Sequence, residues 1–120
     1  MTLQNSIYQP PLIWQLTQGN TITMDSFIGY STGGNSSLTS FTLPATIKFG
    51  DMFAAATSLG TGGFTITRNN GNQKIYSNGV NGNIITMNNT GSSIFLLCTL
   101  DQGGTQSLTV MDFNGTFTLT

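Results

Sequence analysis

The stretch of residues 38–51 constrains the fold most, because it joins two apolar strands through a proline corner. Phe41 and Leu43 lie two positions apart, with a polar threonine between them, so both fall on one face of an extended segment. Pro44 lacks a backbone N–H donor and therefore ends that strand. A Gly-Asp turn follows, and the apolar run Met52–Ala56 predicts the next strand. A half-buried strand of this kind requires a sheet to cover it.

The rest of the chain repeats this pattern of short apolar runs bounded by Gly, Asn or Pro. No segment carries apolar residues at helical spacing, and the only candidate for a single helical turn is the alanine triplet 54–56. Roughly nine or ten short strands predict an all-β fold, an antiparallel β-sandwich of the jelly-roll type. The sequence has no repeat of fixed period, so we expect neither a propeller nor a solenoid.

Two turns predict hairpins. Asn69 to Asn72, with the sequence Asn-Asn-Gly-Asn, is the strongest turn signal, since Asn and Gly tolerate positive φ. It separates strand 64–68 from strand 74–77, which we expect to pair with each other. The dipeptide Asn114-Gly115 predicts a last hairpin onto residues 116–119.

The alternating strands also predict a core. The residues expected inside are large or apolar and alternate with Thr and Ser: Phe41, Leu43, Phe64, Ile66, Leu96 and Cys98. Cys98 is the only cysteine, so it cannot form an intrachain disulfide. Its sequence neighbours are apolar and none is basic, which favours a small buried hydrophobe over a reactive thiol.

Four segments together carry a family resemblance. They read SLTSFTLPATIKFGDMFAA, GTGGFTI, IYSNGVNGN and SSIFLLCTL, in this order along the chain. From about Trp14 to the end, the chain resembles a β-domain that recurs at the C-terminal ends of phage tail fibres, tailspikes and large bacterial surface proteins. The resemblance implies three chains around an axis. It also implies a location on a virion, or on the bacterial cell surface or outside the cell.

The amino-acid composition limits the kinds of partner that the chain is expected to bind. Only 6% of the residues are charged and the net charge is −1, so we expect no electrostatic attraction between the chain and nucleic acid. No apolar run is long enough to span a bilayer, and no basic amphipathic stretch favours a membrane surface. The first eight residues lack the charged and apolar regions of a secretory signal. We expect residues 1–13 to form an arm and residues 14–120 a single sandwich domain.

The strand at residues 94–100 is apolar on both faces. One face can fill the core, and the other needs a second cover. That cover is either a loop or the N-terminal arm, or it is a neighbouring subunit. The low charge favours the subunit, and with the resemblance it predicts a homotrimer.

The inventory of reactive side chains argues against an enzyme. The chain has no His and no Glu, and its four Asp residues are far apart in sequence. A general base, a carboxylate pair, a metal site and a cofactor site are therefore not expected.

With an enzyme not expected, the remaining possibility is a binding surface. Aromatic faces stack on the apolar patches of sugars, and amides bond to hydroxyls, so we consider two clusters. One is Tyr76 with Asn70, Asn72 and Asn78; the other is Tyr30 with Asn35. Trp14 is a third candidate. Trp14 and Tyr30 lie in strand patterns, where an aromatic side chain is more often part of a core or an interface.

Two functions follow from these observations. The first is a receptor-binding tip of a trimeric fibre that adheres to a glycan or protein on the host cell. The second is a structural terminus that locks three chains together and binds no ligand. An aromatic groove that faces outward would favour the first, and aromatic residues confined to the core or the trimer axis would favour the second.

Overall fold

The computed structural model describes residues 12–17, 21–58, 62–88 and 90–120. Most of the predicted arm, residues 1–11, lies outside the described residues. All the regular structure within those ranges is β-strand, so the alanine triplet belongs to a strand and not to a helical turn. The strands are β1 Ile13–Leu16, β2 Thr21–Thr23, β3 Ile28–Ser31, β4 Thr39–Thr42, β5 Met52–Ala56, β6 Phe64–Thr67, β7 Gln73–Ser77, β8 Val80–Gly82, β9 Ile84–Met87, β10 Ser93–Gln102, β11 Thr105–Asn114 and β12 Thr118–Leu119.

The strands form two sheets that pack face to face. The seven-stranded sheet has the order β1-β3-β5-β10-β11-β7-β8, and the five-stranded sheet has the order β12-β9-β6-β4-β2. Both sheets are mixed: β1, β3 and β5 run parallel, as do β2, β4 and β6, whereas β10 is antiparallel to both neighbours. The all-β, sandwich-like class is confirmed, but the predicted antiparallel, jelly-roll-like arrangement is wrong. Alternating burial identifies a strand and its inner face without giving the direction of its partner.

The parallel strands arise because the chain alternates between the sheets from β1 to β6. Each pass therefore lays a strand beside the one two elements earlier, as in a short coil. Ile28 pairs with Phe53 in one sheet and Phe41 pairs with Ile66 in the other, at the same sequence separation. The first coil of this winding spans fewer residues than the later ones, since Ile13 pairs with Ile28. This winding has no fixed period and is confined to the strands before β7, and the fold as a whole is sandwich-like.

The turn at Asn69–Asn72 is a corner between the sheets and not a hairpin. Strand β6 before it belongs to the five-stranded sheet, and β7 after it belongs to the seven-stranded sheet. The amide of Gln73, which is fully buried, donates from Nε2 to the carbonyl oxygen of Pro44 (2.8 Å) and accepts the backbone N–H of Asn69 at Oε1 (2.7 Å). The Asn69 side chain donates to the carbonyl oxygen of Leu43 at 3.0 Å. These bonds tie the corner to the end of β4.

The hairpin lies one turn further on. Asn78 and Gly79 have φ values of 51° and 78°, and Ser77 pairs with Val80 across them. Positive φ at both central residues is what a two-residue hairpin turn of the primed type requires. No residue between Asn69 and Asn72 has positive φ. The expected last hairpin is also wrong, because β11 and β12 lie in different sheets.

The predicted core is confirmed, since all six expected residues have an exposed fraction of zero. Aromatic rings bridge the two sheets at its centre. Tyr30 and Phe41 have ring centroids 5.4 Å apart, and Phe41 meets Phe64 edge to face at 6.0 Å. Such contacts contribute about 0.5–1.5 kcal/mol beyond the burial of apolar area.

Strand β10 shows the two apolar faces that its sequence predicts. Ile94, Leu96 and Cys98 point into the core, while Phe95 and Leu97 lie on the outer face and are half-buried in the single chain. Strand β10 therefore presents apolar side chains on the outer face of the seven-stranded sheet, and the candidate site lies on this face.

Replacing Phe64 with Ala should lower the free energy of unfolding by about 3–5 kcal/mol, because the substitution leaves a cavity between the sheets. The matched control is Phe49→Ala, at a side chain that is 73% exposed, where the change should stay within about 0.5 kcal/mol. Reversible thermal or urea unfolding measures both. Equal effects of the two substitutions would show that the inner face is assigned wrongly.

Candidate functional site

A row of side chains crosses the outer face of the seven-stranded sheet. Strand register places Trp14 opposite Gly29, Gly29 opposite Ala54, Ala54 opposite Phe95, and Phe95 opposite Asp112. We call these five residues the outer row. Its two aromatic residues stand on either side of two small ones, and its last member carries a carboxylate. The row therefore has an aromatic residue on each side of two buried small residues, and a carboxylate at one end.

Gly29 allows the indole of Trp14 to lie flat across the sheet. A Cβ atom added to Gly29 would stand 2.5 Å from Trp14 Cδ2 and 2.6 Å from Cε3, closer than real Cβ contacts come. The indole thus occupies the space that a side chain on β3 would fill. Half of the Trp14 surface, 51%, remains exposed. The sequence could have signalled this contact, because a glycine inside a strand pattern often marks a close approach.

Strand β1 is held against β3 by backbone hydrogen bonds at both ends. Ile13 N–H donates to the carbonyl oxygen of Phe27 (3.2 Å), and Thr17 N–H donates to that of Ser31 (2.7 Å). Phe27 has a φ of 64°, an uncommon conformation for a bulky residue, and its own N–H donates to the carbonyl oxygen of Met52 at 2.8 Å. These contacts fix the strand that carries Trp14.

A β-bulge brings the carboxylate to the row. Phe95 pairs with Asp112 while Leu96 pairs with Val110, so Met111 is the extra residue in β11. In a regular ladder continued from the Leu96–Val110 pair, Met111 would face Phe95. Bulges commonly redirect a side chain in this way.

The outer row borders a shallow groove of about 130 Å³. This volume is well below the roughly 300–1,000 Å³ of pockets that enclose drug-sized ligands, so the groove can hold one ring or one head group. Its lining combines the outer row with the neighbouring ends of β10 and β11: Trp14, Ala54, Ser93, Ile94, Phe95, Asp112, Phe113 and Asn114.

Among the residues that the structure describes, Asp112 is the only charged one that lines this groove. Its Oδ1 accepts the backbone N–H of Phe113 at 2.9 Å, and no cationic side chain in the described part of the chain pairs with it. Lys74 donates to Asn83 Oδ1 at 3.4 Å and Arg68 donates to the carbonyl oxygen of Gln73 at 3.4 Å. None of the three cationic side chains of the chain, Lys48, Arg68 and Lys74, lines the groove. The groove thus carries an uncompensated negative charge beside aromatic rings.

The cluster around Tyr30 does not face outward. Tyr30 is 4% exposed, and its hydroxyl oxygen accepts the backbone N–H of Asp25 at 2.7 Å. Asn35 forms hydrogen bonds within its own loop. Its Nδ2 donates to Thr39 Oγ1 at 3.0 Å, and its backbone also forms hydrogen bonds there. Tyr30 belongs to the core and so cannot offer a face to a ligand.

The residues around Tyr76 are spread along strand β7. Asn70 and Asn72 precede the strand, where the Asn72 N–H donates to Asn70 Oδ1 at 3.0 Å, and Asn78 follows it in the hairpin turn. Tyr76 is half-buried on the outer face, opposite Thr109 and across from Asn81. The structure therefore places Tyr76 on the same face as the outer row but divides its asparagines between the two ends of the strand.

Sequence reasoning considered Trp14 but missed its partners. Phe95 and Asp112 come from strands far from Trp14 in the chain, and only the parallel β1–β3–β5 pairing brings them into one row. In the described part of the chain, no three His, Cys, Asp or Glu residues form a group that could hold a metal ion. None of the described ranges contains a helix of the length and apolarity needed to cross a membrane.

Comparison with known proteins found no matching family model and no curated protein similar to the chain. The resemblance to phage fibre domains therefore stays a prediction.

Burial raises the pKa of two acidic side chains in the core. For Tyr30, desolvation raises the pKa more than the Asp25 N–H lowers it. For Cys98, desolvation is again the largest cause of a raised pKa, with the charges of Asp101 and Asp51 adding to it. Both groups thus keep their protons more firmly in the folded state than in the unfolded chain.

The chain should lose stability on the alkaline side. A folded pKa above the unfolded value stabilises the fold fully below the unfolded pKa, about 8.5 for Cys and 10 for Tyr, and this contribution is lost as the pH rises through the folded pKa. The melting temperature should therefore fall as the pH rises above about 8.5. The slope should be shallower in a variant carrying Tyr30→Phe and Cys98→Ala. A parent and variant with equal slopes would contradict this assignment.

Proposed function

We propose that this chain is a binding module that holds a host cell-surface glycan in the groove beside the outer row. In this proposal it is the receptor-binding tip domain of a trimeric phage tail fibre or tailspike, on a virion or at a bacterial cell surface. The observation that carries the glycan-binding function is the half-exposed indole of Trp14, which lies flat over Gly29 and borders the same groove as Phe95.

The shape and chemistry of the groove suit a sugar ring. A pyranose has apolar C–H faces that pack on flat aromatic rings, and two aromatic residues, Trp14 and Phe95, border the groove. The rim carries groups that can bond to hydroxyls: the Ser93 hydroxyl, the Asn114 side chain and the Asp112 carboxylate. Rings held by strands lose little freedom when a ligand binds, which favours binding.

The alternative function is a structural terminus, and one observation favours it. Phe95 and Leu97 leave an apolar outer face on β10 that a neighbouring copy could cover. The two functions use the same face in opposite ways. Glycan binding needs Phe95 accessible in the assembled protein, whereas a structural terminus would bury it between subunits.

Replacing Trp14 with Ala should weaken adhesion to host cells, and binding on a glycan array, by at least about ten-fold, because a central aromatic contact is lost. Gly29→Ala should weaken binding similarly, since the added methyl displaces the indole while the core face of β3 is unchanged. Gly34→Ala is the matched control, because its Cβ meets nothing within 4 Å. Unchanged binding by both Trp14→Ala and Gly29→Ala would reject the groove as the site.

The purified protein should be a trimer by light scattering. The support for a trimer is the 6% charge and the family resemblance. A shallow groove binds weakly, near millimolar for one copy, so three linked copies would supply the avidity that adhesion needs. A stable species of 12.8 kDa across a wide concentration range would remove the trimer from the proposal.

A further inference from the structure

The negative charge of Asp112 limits the class of sugar that the groove can bind. Asp112 lines the groove with no counter-ion among the described residues, and the other lining residues are apolar or neutral. A ligand that carries a negative charge, such as a uronic acid, would be repelled at this position. A neutral sugar could form hydrogen bonds with the carboxylate but would gain no ionic attraction to it.

A protonated amine suits the end of the groove where Phe95 lies opposite Asp112. Ammonium groups are attracted to the faces of Trp and Phe rings, and most strongly to Trp. Hydrogen bonds between an ammonium and a carboxylate are roughly twice as strong as neutral ones. Phe95 pairs directly with Asp112, so one small cationic group at this end of the groove can contact the Phe95 ring and the carboxylate together.

We infer that the groove selects an amino sugar with a free, protonated amine, such as a glucosamine unit that lacks its N-acetyl group. This inference rests on the proposed glycan-binding function and specifies the ligand of the same site. The sugar ring packs on the exposed aromatic surface that borders the groove, and its ammonium lies beside Phe95 against the Asp112 carboxylate. An N-acetyl group would remove the positive charge that this carboxylate attracts.

The test is calorimetric titration of the whole protein with three oligosaccharides of equal length: glucosamine, N-acetylglucosamine and a uronic acid. At a mildly acidic pH that keeps the amine protonated, the glucosamine oligomer should bind about ten-fold more tightly than its acetylated counterpart. This preference should shrink when the salt concentration rises from about 0.05 to 0.5 M, since salt screens the ion pair. The uronic acid oligomer should bind most weakly.

Asp112→Asn should abolish the preference while leaving similar, weaker binding of the two hexosamine oligomers. Asp101→Asn makes the same charge change near the far end of β10, where Gln106 donates to Asp101 Oδ1 at 3.0 Å, and it should keep the preference. The inference is overturned if the acetylated oligomer binds the parent as tightly as glucosamine does, or if Asp101→Asn also loses the preference. Either result would overturn the preference for a free amine and leave the proposed glycan binding unaffected. If none of the three oligomers binds and the glycan array is also blank, the proposed function fails with it.

Discussion

The packing of two sheet faces around Tyr30, Phe41 and Phe64 is the interaction on which the rest of the structure depends. Side chains alternate along each strand, so a shift of one residue would move a whole set of apolar groups from the core to solvent. The burial of these rings therefore fixes the register of β3, β4 and β6. Once that register is set, the residues between the core positions must lie together on the outer faces.

The candidate groove is a consequence of this register. Burial of Tyr30 turns Gly29 outward, burial of Ala55 turns Ala54 outward, and burial of Ile94 turns Phe95 outward. The site is thus built on neighbouring strands of a packed sheet and not on a loop. Strands hold side chains more precisely than loops do, which suits a shallow site that has few contacts to offer.

Much of the local structure could be predicted from the sequence, because it depends on neighbours along the chain. The strand before Pro44, the strand that contains Cys98 and the apolar residues of the core follow from alternation and turn chemistry. The pairing could not be predicted, since it depends on contacts between distant residues. The turn at Asn69–Asn72 illustrates the limit: its composition signals a turn, but the buried amide of Gln73 makes it a corner between sheets. The bulge at Met111 brings Asp112 opposite Phe95, and no recognisable sequence pattern predicts it.

The most direct test of the central claim, that the outer row binds the ligand, uses the single tryptophan of the chain. Fluorescence titration of the parent protein with a glycan that it binds on an array reports on the Trp14 indole alone. The account predicts a saturable change in Trp14 emission, together with protection of the indole from acrylamide quenching, at the concentrations where binding occurs. Glycan binding that leaves both the emission and the quenching of Trp14 unchanged would contradict the account.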